Sequence, residues 1–136
     1  MRKFKYIGHT ADIGLEAYGR NLAEAYANAA CGLFSIITDL RKVRCKESRT
    51  LIIRETGFES LLFEWLNSLI YIFEVEKMLI RKNAVFELDD QHLCAVCEGE
   101  KIDRNRHLLK TGVKAATYHL LTVDRLNHRV KVILDV

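Results

Sequence analysis

Residues 58–73 read Phe58-Glu59-Ser60-Leu61-Leu62-Phe63-Glu64-Trp65-Leu66-Asn67-Ser68-Leu69-Ile70-Tyr71-Ile72-Phe73. Phe58, Leu61, Leu62, Trp65, Leu66, Leu69, Ile72 and Phe73 recur at intervals of three and four, which places them on one broad face of an α-helix. Aromatic and leucine side chains at this spacing build a core rather than a cofactor pocket, so Trp65 is expected inside. Thr56 and Glu59 have the spacing of a capping box. The spacing therefore predicts a helix over Phe58–Glu76, interrupted by Glu64, Glu74 and Glu76 and so unsuited to crossing a membrane.

Working outward from this helix, the pattern changes from a period near 3.6 to a period of two. Upstream, Phe4 and Tyr6 alternate with Lys3 and Lys5. Ile13, Leu15 and Ala17 alternate with Asp12, Gly14, Glu16 and Tyr18. Both segments read as short half-buried strands. Asn21 and Glu24 have capping-box spacing, and Leu22, Ala25, Tyr26, Ala29, Leu33, Ile36 and Ile37 follow at helical intervals, giving a helix over Asn21–Thr38. Leu51–Ile53 suggests a further strand. Downstream, Ala84–Leu88 and His92–Glu98 flank a turn at Asp89-Asp90-Gln91. Thr117–Val123 and Arg129–Val136 flank a turn around Arg125–His128. In the last strand Val130, Val132, Leu134 and Val136 share one face, while Arg129, Lys131, Ile133 and Asp135 share the other. The expected fold is α+β: two amphipathic helices packed on one antiparallel or mixed sheet, a single compact sandwich spanning residues 1–136.

Of 136 residues, 49% are hydrophobic and 29% charged, an ordinary balance for a globular chain able to bury one core. Met1-Arg2-Lys3-Phe4-Lys5 leads into a polar motif with no apolar stretch, which makes the cytoplasm the expected location. The net charge of +3 is uneven: residues 1–100 carry 13 basic and 15 acidic groups, and residues 101–136 carry 8 basic and 3 acidic groups. A basic last third suits RNA or an acidic protein surface. No aromatic residue is interleaved among Lys101, Arg104, Arg106 and Lys110, which fits a solvated, mobile loop over Lys101–Gly112 better than direct RNA binding. The cluster of Glu98, Glu100, Asp103 and His107 reads, on its chemistry, as part of that solvated region.

Cys94-x-x-Cys97 resembles half of a zinc site. It falls in a strand, however, where residues three apart leave opposite faces, and no second such pair exists. The thiols at positions 31, 45, 94 and 97 are therefore expected reduced, metal-free, and buried or half-buried.

Gly8-His9-Thr10-Ala11-Asp12-Ile13-Gly14-Leu15 sets an imidazole, a hydroxyl and a carboxylate between two glycines. Asp12 and Asp135 lie on the polar faces of their strands. If those strands adjoin, their oxygens suit Ca²⁺, Mg²⁺ or Mn²⁺ better than Zn²⁺; if not, they are solvated surface charges. His9 and His119 have the chemistry of a general base or a ligand, or of a hydrogen-bonded structural residue. Lys114 suits pairing with Asp12, binding a phosphate, or simple exposure at a strand edge. No phosphate loop, nucleophile elbow or Cys–His signature occurs.

His9-Thr10-Ala11-Asp12-Ile13-Gly14-Leu15, Leu61-Leu62-Phe63-Glu64-Trp65-Leu66-Asn67, Gly99-Glu100 with Asp103 and His107, Val113-Lys114-Ala115-Ala116-Thr117-Tyr118-His119 and Ile133-Leu134-Asp135-Val136 together resemble the archease family, in the family's order and over nearly the whole chain. Two positions depart from its usual pattern: Gly112 stands where a glutamate is usual, and Ala116 where valine or isoleucine is common. The resemblance implies a small α+β protein that is not itself a catalyst. It implies an activator of the RtcB-type RNA ligase of tRNA splicing, promoting ligase guanylylation and multiple turnover. A tRNA methyltransferase is a further implied partner, and tRNA contact is indirect or weak. It also implies a divalent cation, calcium first with magnesium or manganese as alternatives, held by Asp12, Asp135 and the main chain or terminal carboxylate of Val136. His9, Lys114 and His119 become candidate contacts to a partner or phosphate. The competing readings are a metal-dependent enzyme acting on RNA or nucleotides and a methyltransferase-modulating chaperone.

Overall fold

The computed structural model describes residues 2–8 and 11–136. In chain order the elements are β1 (Phe4–Gly8), β2 (Asp12–Tyr18), α1 (Leu22–Ile37), a short 3-10 turn (Leu40–Lys42), β3 (Glu47–Arg54), α2 (Phe58–Glu76), β4 (Met78–Leu88), β5 (His92–Lys101), β6 (Ala115–Asp124) and β7 (Arg129–Asp135). The α+β class expected from the two periodicities holds. The single sheet does not: the strands divide into a four-stranded sheet ordered β1-β2-β7-β6 and a three-stranded sheet ordered β3-β5-β4. Every pairing is antiparallel. Helix α1 packs on β2 and β4, and α2 on β6 and β4, so the helical layer joins the two sheets.

The helix boundaries match the sequence reading, but their caps differ. Asn21 caps α1 by accepting from the Glu24 N–H at 2.8 Å. Glu24 completes the reciprocal contact one residue early, on the Arg20 N–H. The Thr56–Glu59 capping box does not form, because α2 starts after Gly57, which occupies the cap position at φ 99°. A positive φ favours glycine there. The Gly57 N–H is instead held by the Asp90 carbonyl at 2.7 Å, in the β4–β5 turn. At the other end Lys77 turns the chain straight from α2 into β4 in a left-handed conformation. This abrupt exit is why β4 begins at Met78 rather than at Ala84.

The core draws on both sheets and both helices. Tyr26, Leu33, Phe34, Leu61, Leu62, Trp65, Leu66 and Leu69 are fully buried. The Trp65 indole N–H donates to the Tyr26 carbonyl at 2.9 Å, tying α2 to α1. Gly99 is demanded by close approach: a Cβ there would lie 1.8 Å from the Leu79 carbonyl oxygen on β4. All four cysteines are free; Cys45 is exposed, against expectation, in the segment before β3. Cys97 points into the core and Cys94 away from it, as strand alternation requires.

The loop over Lys101–Gly112 is anchored rather than mobile. The Thr38 hydroxyl donates to the Leu108 carbonyl at 2.8 Å, and the Lys110 N–H to the Ile37 carbonyl at 2.7 Å. Glu100 and His107, expected in solvent, are both 3% exposed. Glu100 accepts from the Arg44 N–H at 2.7 Å, from the Arg106 guanidinium and from His107. The Asp103 N–H donates to His107 Nδ1, which leaves Nε2–H to donate to Glu100 at 3.0 Å. Sequence spacing could not show this, because Arg44 lies 56 residues from Glu100. Burial alone would raise the Glu100 carboxyl, but the donations from Arg106, Arg44 and His107 prevail and hold it at about 2. The folded value lies below the ordinary 4.5, so the network contributes stability above that value and loses it as pH falls toward 2. Thermal unfolding followed from pH 5 to 2 is expected to show a loss that Glu100→Gln flattens. A wild-type midpoint independent of pH over that range would contradict the assignment.

Candidate metal centre

Strands β2 and β7 pair so that Asp12 stands directly opposite Asp135. Directly opposed residues of an antiparallel pair project on the same face, with Cβ atoms about 4.5–5.5 Å apart. This face is the one turned away from the core residues Leu15, Ala17, Val130, Val132 and Leu134. The two carboxylates therefore project from one face of the four-stranded sheet. Like charges placed this way repel, and a cation between them removes the penalty.

β6 completes the site from the other side of β7. Ala115 pairs with Asp135 and Thr117 with Ile133, after which the register breaks until Thr122 meets Lys131. Within this bulge Leu120 adopts a φ of 57°, a left-handed conformation that a leucine rarely takes. The bulge re-aims the edge strand, and His119 joins Ala11, Asp12, Thr117, Ile133 and Asp135 around a cleft of about 280 Å³. The Lys114 N–H donates to the Asp135 carbonyl at 2.7 Å, fixing the start of β6, and the Lys114 side chain is exposed. Val136 follows Asp135 at the end of β7 and packs partly against the core. His9 lies outside the described residues.

The register thus brings Asp12, Asp135 and His119 to one cleft, with Val136 next to Asp135 in sequence and Lys114 joined to Asp135 through its main-chain N–H. Two features that hold the cleft are invisible to strand and helix periodicity. Asn67 of α2 accepts from the Ala116 N–H at 2.9 Å and donates to the Ala116 carbonyl at 3.3 Å, clamping the edge strand beside the cleft. Tyr118 stacks on Phe63 with ring centroids 4.0 Å apart. Asn67, a polar residue directly after the core residue Leu66, is the signal the sequence offers. The donors that face one another across β2 and β7 are carboxylate oxygens, so their chemistry fits a hard cation.

A family model described as the archease protein family (MTH1598/TM1083) matches residues 4–136. The chain belongs to the archease family. Protein archease of Sulfurisphaera tokodaii is 44% identical over 126 residues, covering 91% of this chain and 90% of that one. Protein archease of Methanosarcina mazei is 33% identical over 141 residues, covering 99% and 97%. The solution structure of Methanobacterium thermoautotrophicum protein 1598 superposes with a TM-score of 0.79 at 33% identity, covering 100% of both chains. The archease fold is therefore shared across the full length. No helix among the described residues is long and apolar enough to cross a membrane.

Proposed function

We propose that this archease is a non-catalytic accessory protein of an RtcB-type tRNA-splicing RNA ligase, acting in the cytoplasm. It promotes guanylylation of the ligase and its return for further turnovers. A divalent cation, calcium first with magnesium or manganese as alternatives, is held by Asp12, Asp135 and the main chain of Val136 at the contact surface. The observation that carries this reading is the direct opposition of Asp12 and Asp135 across β2 and β7. When bound, the ion neutralises the carboxylate pair and presents an electropositive point on that face of the sheet. Lys114 and His119 flank that point as contacts for phosphate or an acidic ligase surface.

A second surface supports an anionic partner. Arg41, Lys42, Arg44, Arg81 and Arg106 line a concavity of about 450 Å³ on the side of the molecule formed by the 3-10 turn and the 101–112 loop. Its charge suits indirect or weak contact with tRNA held by the ligase, or with a tRNA methyltransferase. The alternative of a metal-dependent enzyme on RNA or nucleotides draws on the presence of His119 beside the two aspartates. Reconstitution with the partner ligase separates the two. The isolated chain is expected neither to join RNA nor to hydrolyse GTP; RNA cleavage or nucleotide hydrolysis by the chain alone, abolished by His119→Ala, would favour the enzyme.

A further inference from the structure

Among the described residues, Glu87, His92 and Cys94 bring a carboxylate oxygen, an imidazole nitrogen and a thiol sulfur within 4.8 Å of one another. They sit at the end of the β4–β5 hairpin, remote in sequence from both strands that carry the two aspartates. Three features of the backbone assemble them. Glu87 is the cross-strand partner of Cys94 only because the register shifts between Val85 and Glu87. Without that bulge Phe86 would face Cys94; with it, Phe86 stands 58% exposed and the carboxylate takes its place. His92 and Cys94 are two apart on β5 and so share a face. The imidazole is then fixed at both ends, with Nε2 3.0 Å from Glu87 Oε2 and Nδ1 3.0 Å from the Asp89 carboxylate.

We propose that Glu87, His92 and Cys94 form a three-ligand site for a zinc-class divalent ion, with Asp89 as the carboxylate that orients the ligating histidine. Thiolate, imidazole and carboxylate together are the donor set of borderline-soft Zn²⁺ rather than of calcium or magnesium. Three protein ligands leave one tetrahedral position to solvent, the pattern of open zinc sites. With Asp89 on Nδ1, Nε2 is the ligating nitrogen, and the ion takes the place of the proton between Nε2 and Glu87; such outer carboxylates are a regular part of zinc–histidine sites. Binding displaces the protons carried by the Cys94 thiol and by the imidazole nitrogen that ligates. Arg54, the register partner of His92 on β3, lies alongside as the neighbouring cation. The Cys94-x-x-Cys97 spacing is thus not the signal. Cys97 is fully buried on the opposite face, and the second and third ligands come from across the hairpin and from two residues upstream.

Cobalt(II) titration of the purified full chain tests this by absorption. One equivalent is expected to give tetrahedral d–d bands and a thiolate-to-cobalt charge-transfer band, both displaced by Zn²⁺. Cys94→Ala should abolish the charge-transfer band, His92→Ala should weaken binding beyond detection at stoichiometric metal, and Asp89→Asn should weaken it roughly 10–100-fold. Cys45→Ala should leave the spectrum unchanged, and far-ultraviolet circular dichroism of Cys94→Ala and His92→Ala matching wild type rules out misfolding as the cause of the losses. Absence of the charge-transfer band in the wild type, its survival in Cys94→Ala, or its loss in Cys45→Ala would overturn the site.

Discussion

Trp65→Ala is expected to destabilise the fold by about 3–5 kcal/mol, the range for deleting a large aromatic side chain from a packed core. Trp65 is fully buried at the junction of α1 and α2, and its indole N–H is bonded to the Tyr26 carbonyl. Truncation therefore opens a cavity between the helices that join the two sheets. Trp65→Phe retains most of the volume and forfeits the hydrogen bond, so about 1–2 kcal/mol is expected. Denaturant unfolding measures both, with unchanged slope as the sign that the folded state is otherwise intact. A loss below about 1 kcal/mol in Trp65→Ala would mean that the helical layer does not couple the sheets as described.

Asp12→Ala is expected to weaken calcium binding by roughly 100-fold or more while leaving the unfolding midpoint nearly unchanged. Affinity in oxygen-ligand sites follows the number and charge of carboxylates, and this variant removes one of the two opposed acids. Relief of the repulsion between them offsets what local contacts Asp12 makes in the folded chain. Calorimetric titration with Ca²⁺ reads the effect, and a titration indistinguishable from wild type would remove Asp12 from the site.

Long-range pairing separates what the sequence disclosed from what it did not. Both helices were legible, α2 at its observed bounds and α1 within one residue at each end, because their apolar faces are long and strongly periodic. The polar face carrying Asp12 and Asp135 was legible from strand alternation, but their opposition was not, since register depends on strands at opposite ends of the chain. The division into two sheets was likewise hidden: a period of two marks a strand without naming its neighbour. His119 shares a face with Ala115 and Thr117 by strand alternation, but its place beside Asp135 depends on the pairing of β6 with β7, which alternation does not name. Glu100 and His107 read as solvated because charge is ordinarily outside. Their burial depends on Arg106, close by, and on the main chain at Arg44, far away. Cys94 lies near Cys97 in sequence, but the group that faces it, Glu87, is set by a bulge in the facing strand.

The aspartate pair is expected to act through the ligase. The most direct measurement is multiple-turnover guanylylation of a reconstituted RtcB-type ligase with a divalent ion present, comparing wild-type chain with folded Asp135→Ala. Wild type is expected to raise turnover, and Asp135→Ala to reduce that stimulation on the order of 10-fold or more. Equal stimulation by Asp135→Ala, or none by the wild-type chain, would contradict it.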